Sequence, residues 1–199
     1  MMRALRPALS LVALFTVTLG LALPALFAGF AQLAFPFAAD GSLIRARGRV
    51  VGSALIGQSF AGPGWFAPRP SALTGTAANG QSIATPYDAS ESGASNLAPT
   101  SRALADHTAS RVAAYRAAYG AGPVPDDAAT SSGSGLDPDI SLANALRQAP
   151  SVAAARHLPA ARVIALVRRL AERPWLGLIG TPHVNVLRLN IALDAIGAR

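Results

Sequence analysis

Asp137 and Asp139 stand one residue apart in Ser132-Gly133-Ser134-Gly135-Leu136-Asp137-Pro138-Asp139-Ile140-Ser141, the part of the chain richest in groups that could do chemistry. Paired carboxylates can hold a cation. The same Asp-Pro-Asp sequence can instead cap and charge the N-terminus of a helix begun by Leu142, Ala143, Ala145 and Leu146. Ser134 raises the possibility of a nucleophile, yet Gly133-Ser134-Gly135 is not the Gly-x-Ser-x-Gly elbow, and no orienting partner follows from sequence. His107, His157 and His183 lack the close spacing of metal ligands on one helix face or strand. Arg69, beside Pro70 and Ser71, offers a guanidinium fork suited to a partner carboxylate, or else a solvated surface charge.

Composition removes whole classes of mechanism. The 199 residues include no cysteine, which excludes disulfides, thiolate metal sites and a lipid-modified N-terminal cysteine. They include no lysine either, so the net charge of +7 is carried by arginine, and neither a Schiff base nor a phosphate-cradling Walker lysine can form. The arginines are scattered and aromatics are few, which argues against nucleic acid as a partner.

The elements that must position these groups begin with an apolar helix. No residue between Arg6 and Asp40 is charged, and residues 9–33 exceed the roughly 20 that a bilayer core requires. Gly29-Phe30-Ala31 would serve as a signal cleavage site, but the apolar run is longer than the roughly 7–15 residues of a signal peptide, which favours an uncleaved anchor. Pro24 should kink it. Arg3 and Arg6 predict a cytoplasmic N-terminus, against Arg45, Arg47 and Arg49 on the other side. The expected fold class is α+β, with residues 1–8 a short cytoplasmic segment, 9–33 a single transmembrane helix, and 34–199 one small mixed α/β extracytoplasmic domain.

Within that domain, residues 49–58 read as a strand with Gln58 at its end, where the amide would satisfy loop backbone groups. Residues 61–99, dense in Gly, Pro, Ser, Asn and Thr, read as a long loop with a flexible tip over 74–81. Thr100 or Ser101 caps a helix whose Leu104, Thr108, Val112, Tyr115 and Tyr119 share a face, and Gly120 ends it. A helix over 141–157, interrupted near Pro150, precedes one over 161–172, whose basic face is solvated or touches anionic lipid. Alternation over 186–193 reads as a half-buried strand.

Several phrases, in order, match one family: Leu55-Ile56-Gly57-Gln58-x-Phe60, Trp65-Phe66-x-x-Arg69-Pro70-Ser71-Ala72, Ser95-Asn96-Leu97 with Pro99-Thr100, the Ser-Gly-Leu-Asp-Pro motif ending at Pro138, and Pro182-x-Val184-Asn185-Val186-Leu187-x-Leu189-Asn190. Together they resemble the C subunit of the Kdp potassium-transporting P-type ATPase over nearly the whole chain. The resemblance implies an accessory subunit of a high-affinity, ATP-driven potassium uptake complex in the bacterial cytoplasmic membrane. Its partners would be a pore-forming potassium-binding subunit, a P-type ATPase subunit, a small single-helix subunit and the lipid bilayer. The family's C subunit has been described as an assembly factor and as a catalytic chaperone that raises the pump's ATP affinity, with a glutamine, here Gln58, proposed to assist nucleotide binding.

A P-type pump needs an Asp-Lys-Thr phosphorylation sequence, which a lysine-free chain cannot carry. ATP and potassium would therefore be handled by the complex, with no catalytic residue, metal or cofactor assigned to this chain. Gln58, Arg69, Ser71, Asn96, Asp137 and Asn185 are the motif residues expected to serve partner contact or structure. The sequence departs from the family pattern at Ala94 and Ala98, where glycines are usual, at Ser101, where an asparagine is usual, and at Asp139, where a histidine is usual. The alternative from another class is a free-standing, membrane-anchored envelope serine hydrolase using Ser134.

Overall fold

The computed structural model describes residues 2–197, and side chains from Ala4 onward. Contacts divide the chain into two compact units, Met1–Leu43 and Ile44–Arg199. The first is the apolar helix: α1 (Met2–Phe15), a π-helical stretch over Thr16–Ala22, α2 (Leu23–Ala34) and a short α3 (Pro36–Ala39). The span Ala4–Ala34 has the length and apolarity to cross a bilayer, and its side chains are not buried in protein. The π-helical turn sits immediately before Pro24. Proline removes a donor and crowds the carbonyl four residues back, and widening that turn, with Leu23 N–H donating to Thr18 O, accommodates it.

The second unit mixes short strands with longer helices, as α+β implies. Strands β1 (Leu43–Ala46) and β2 (Arg49–Ser53) form a hairpin about Arg47 and Gly48, both at positive φ as a tight primed turn requires. The expected strand over 49–58 thus ends at Ser53, and Gln58 lies beyond a turn. The supposed loop 61–99 contains a second hairpin, β3 (Thr74–Thr76) against β4 (Ser82–Ala84), with Gly75 opposite Ile83. The stretch 74–81, expected to be a flexible tip, is therefore a hydrogen-bonded ribbon closed by Ala77 N–H to Gln81 O at 2.8 Å.

Helix α4 (Arg102–Tyr119) follows Ser101 and ends at Gly120, whose φ of 89° only glycine adopts easily. Tyr115 is its buried contact. A short α5 (Asp126–Ala129) leads through the Ser-Gly segment to β5 (Asp139–Ser141). Helix α6 (Leu142–Ala155) carries Pro150 internally without a break. A proline there leaves one carbonyl unpaired, but Ala149, Val152 and Ala153 are buried on both sides of it, and that packing outweighs the local penalty. Helix α7 (Ala160–Leu170) buries Val163, Leu166 and Val167 and exposes Arg162 and Arg169.

The C-terminal element departs most from expectation. Only His183–Asn185 is a strand (β6), paired antiparallel with β5 so that Asp139 faces Asn185 and Ile140 faces Val184. Residues Val186–Gly197 form helix α8 instead of a strand. Its buried positions, Val186, Leu187, Leu189, Asn190 and Leu193, recur at three-to-four spacing, and the polar positions that suggested alternation include Asn190, which is buried. The core lies where α6, α7 and α8 pack with Phe66, Ile140 and Val184.

Candidate functional site

The Leu136–Ser141 segment and β6 form one wall of a polar cleft of about 280 Å³, lined by Arg69, Asp127, Asp137, Asp139, Thr181 and His183 among others. Asp137 Oδ2 accepts from Arg69 Nη1 at 2.7 Å, while its Oδ1 accepts the Asp139 backbone N–H at 3.0 Å. Asp139 Oδ1 accepts from Asn185 Nδ2 at 3.1 Å. The same Asn185 amide reaches Ala54 O at 3.0 Å, and its Oδ1 caps α8 by accepting Arg188 N–H at 3.1 Å. One buried asparagine thus joins the first hairpin's exit, β5 and the start of α8.

Asp137 lies two residues before β5 and Asp139 is the first residue of that strand, so the expectation that they cap a helix is corrected. Ser141 is the cap of α6, accepting Asn144 N–H at 3.1 Å. Asp127 holds that cap in place, accepting from the Ser141 N–H and Oγ, both at 2.8 Å, and from Asn144 Nδ2 at 2.9 Å. Burial pushes the Asp139 carboxyl above its ordinary pKa, with Asp137 and Glu172 adding to the shift and Asn185 and His183 opposing it. His183 Nδ1 lies 2.8 Å from Thr181 O, which can only accept. Its Nε2 lies 4.0 Å from Asp139 and 3.8 Å from Glu172.

Gln58 does not line this cleft. Its Nε2 donates to Val51 O at 2.8 Å, folding the chain back on β2. The neighbouring Gly57 donates to Leu136 O at 2.8 Å, and a Cβ there would lie 2.6 Å from Asp137 O. A side chain at Gly57 would force the two motif segments apart. Tyr87, whose hydroxyl donates to Arg69 O at 2.7 Å, completes the clamp, and burial raises its pKa.

Ser71 and Asn96 do not join the cleft. Ser71 Oγ accepts Leu73 N–H at 3.3 Å, and exposed Asn96, at φ 52°, donates to Ala94 O at 3.1 Å. The segment they flank is tied to the Ser-Gly motif through Gly93 N–H to Ser134 O at 2.9 Å. Ala94 is not among the residues with positive φ, so its Cβ introduces no backbone strain. Ser134 Oγ accepts Leu136 N–H at 3.1 Å, and no histidine hydrogen-bonds to it among the described residues. That arrangement orients a turn and activates no nucleophile.

Sequence reasoning missed the groups that hold the 61–99 segment. Gln148 Oε1 accepts Ala67 N–H at 2.7 Å and its Nε2 donates to Ala67 O at 3.1 Å. Asn190 does the same for Phe66, at 2.9 and 3.0 Å. Two buried amides therefore replace a neighbouring strand for residues in irregular structure. Asn144 extends the network to Gln148 at 2.9 Å and to the Tyr115 hydroxyl at 2.8 Å. The available signal was Asn144 and Gln148, four apart on an otherwise apolar helix face.

Fold and site together define a small α+β domain with a motif-built polar cleft, in a chain with one long apolar helix among the described residues. A family model described as "KdpC: K+-transporting ATPase, c chain" matches residues 5–195, and the chain belongs to that family. Among its relatives, the potassium-transporting ATPase KdpC subunit of Caulobacter vibrioides is 54% identical over 196 residues, covering 98% of this chain and 94% of that one. That of Allorhizobium ampelinum is 49% identical over 198 residues, covering 100% and 99%. The Gemmatimonas aurantiaca subunit is 50% identical over 199 residues, covering 100% and 96%.

Proposed function

We propose that this chain is the non-catalytic accessory subunit of an ATP-driven potassium uptake complex in the bacterial cytoplasmic membrane, acting in assembly and coupling. The observation that carries this reading is the full-length similarity to potassium-transporting ATPase KdpC subunits. The absence of lysine supports it, because the Asp-Lys-Thr phosphorylation sequence must then belong to another chain. Its partners are a pore-forming potassium-binding subunit, a P-type ATPase subunit and a small single-helix subunit. The N-terminus is cytoplasmic and the folded unit lies on the outer side, as the arginines before the helix favour.

On that topology the catalytic-chaperone role meets an obstacle, since Gln58 would be remote from cytoplasmic ATP. Its amide is also engaged with Val51 O. Gln58 therefore serves the fold of the motif cluster, and the polar cleft, with its carboxylates and Arg69, is the surface through which the domain reads its partners.

Two experiments test the reading. Epitope-tagged chain from potassium-starved cells should bring down a pore and a pump subunit in detergent, and failure to do so rejects it. For topology, Ala78→Cys in the exposed turn of the second hairpin gives a single thiol in a cysteine-free chain. Labelling by an impermeant maleimide from outside intact cells is expected. Gly75 is a poor choice, since a Cβ there would meet Thr85 Cγ2 at 2.9 Å.

A further inference from the structure

Four of the most exposed large apolar side chains of the second unit fall together on one turn. Trp175, Leu176, Leu178 and Ile179 are 64–85% exposed, on the connection between α7 and β6. Their exposure does not come from a slack loop. The connection is laddered by Glu172 and His183, which exchange backbone hydrogen bonds at 2.9 and 3.2 Å, and above them by Trp175 and Ile179, which exchange bonds at 2.9 and 3.1 Å. At the turn itself Leu176 has φ 52° and Gly177 φ 72°. A leucine in the left-handed region is uncommon, so a tight turn is kept there against local preference.

Charge on the tip's flank is of one effective sign. Arg168, Arg169 and Arg173 are exposed just before it and enter none of the ion pairs among the described residues. The nearby acid, Glu172, is already engaged by Arg188 at 3.6 Å and His183 at 3.8 Å. The linker to the apolar helix is also short. Only residues 35–43 separate the apolar helix from the folded unit, a tether that reaches about 30 Å even when fully extended.

We propose that the Trp175–Ile179 tip is a second membrane attachment, inserting its apolar side chains into the leaflet on the domain's own side while Arg168, Arg169 and Arg173 contact anionic phosphates. This rests on the reading of Ala4–Ala34 as a membrane anchor. Tryptophan with aliphatic neighbours suits the boundary between headgroups and acyl chains, and arginine beside it adds attraction to anionic lipid. By itself a five-residue tip is too small for a stable protein interface, which needs about 800 Å² from each partner, whereas lipid conforms to a protrusion of any shape. With both attachments made, the domain has a fixed inclination over the bilayer where a single tether would let it swing.

The test places a diazirine analogue of leucine at Leu178 in the full chain, within the assembled complex in native membranes, with the same probe at Asn79 as an exposed control. Irradiation followed by mass spectrometry should give phospholipid adducts at 178, enriched in phosphatidylglycerol over neutral lipid, and at least about tenfold fewer at 79. Adducts to another subunit's polypeptide, or water addition alike at both positions, overturn the proposal. Alkaline extraction keeps the anchor separate. A chain that stays in the membrane pellet without lipid adducts at 178 rejects the tip alone, while a chain lost to the supernatant rejects the anchor itself.

Discussion

Arg69 and Asp137, 68 residues apart in sequence, meet at 2.7 Å and clamp the segment between the two hairpins against the start of β5. Both side chains are about a quarter exposed, so the pair is worth more than a surface ion pair and less than a fully buried one. Arg69→Ala should destabilise the full chain in detergent by about 1–2 kcal/mol, measured by thermal unfolding followed by circular dichroism. Asp137→Ala should cost more than Arg69→Ala, because it also frees the Asp139 N–H. Equal stability of both variants with the parent would show that the clamp does not hold the cleft.

The buried amides make a sharper prediction. Gln148→Leu and Asn190→Leu each leave a backbone N–H and C=O without partners in the core. Each should cost about 2–4 kcal/mol. Hydrogen exchange should speed up at Ala67 in the first variant and at Phe66 in the second, before global unfolding. Unchanged protection at those two amides would contradict the network.

Two glycines in the Ser-Gly motif should behave oppositely. Gly135 has φ 71°, and a Cβ there would lie 2.5 Å from Leu73 Cγ, whereas a Cβ on Gly133 meets nothing within 4 Å. Gly135→Ala is expected to lose about 2 kcal/mol or more and to weaken co-purification with the other subunits, with Gly133→Ala close to neutral. Chemical denaturation of the two variants side by side checks this.

Gln58→Ala removes one hydrogen bond to Val51 O, worth about 1 kcal/mol. Complex yield should fall modestly, and the ATP concentration giving half-maximal ATPase activity of the purified complex should stay unchanged. A selective rise in that concentration at full assembly would instead support the catalytic-chaperone role.

Asp139 gives a pH dependence of known sign. Its pKa is raised in the folded chain, so the folded state holds the proton more tightly than the unfolded state does, and stability falls as pH rises through the window between the ordinary and raised values. Asp139→Asn, which can still accept from Asn185, should therefore stabilise the chain at neutral pH by up to about 1 kcal/mol, discounted for partial exposure. Below the ordinary carboxylate pKa the advantage should vanish. Denaturation midpoints across pH decide the matter.

Asp139 and the C-terminal segment mark where one-dimensional reading stops. Helix α4 was legible because Leu104, Thr108, Val112, Tyr115 and Tyr119 follow a helical period and Gly120 supplies a stop. Helix α8 was misread because Arg188 and Asn190 look alike as polar residues, although one is part-exposed and the other is buried and bonded to Phe66. The overlooked signal was Asn185, an N-cap residue directly before the apolar run. Pro150 misled in the other direction, since the penalty of an internal proline is local and burial on α7 outweighs it.

The sequence by itself determined the long apolar helix, the lack of lysine and cysteine chemistry, the three middle helices and the ordered phrases that define the family. Each depends on composition or on near-neighbour spacing, which a linear chain displays directly. Only the tertiary structure decided that Arg69, Asp137 and Asn185 are stitches between distant segments, that Gln58, Ser71 and Asn96 serve local turns, and that the polar loop is ordered by amides from α6 and α8. Those assignments depend on which donor meets which acceptor across dozens of residues, and a hydrogen-bonding side chain carries no mark of its partner until the chain has folded.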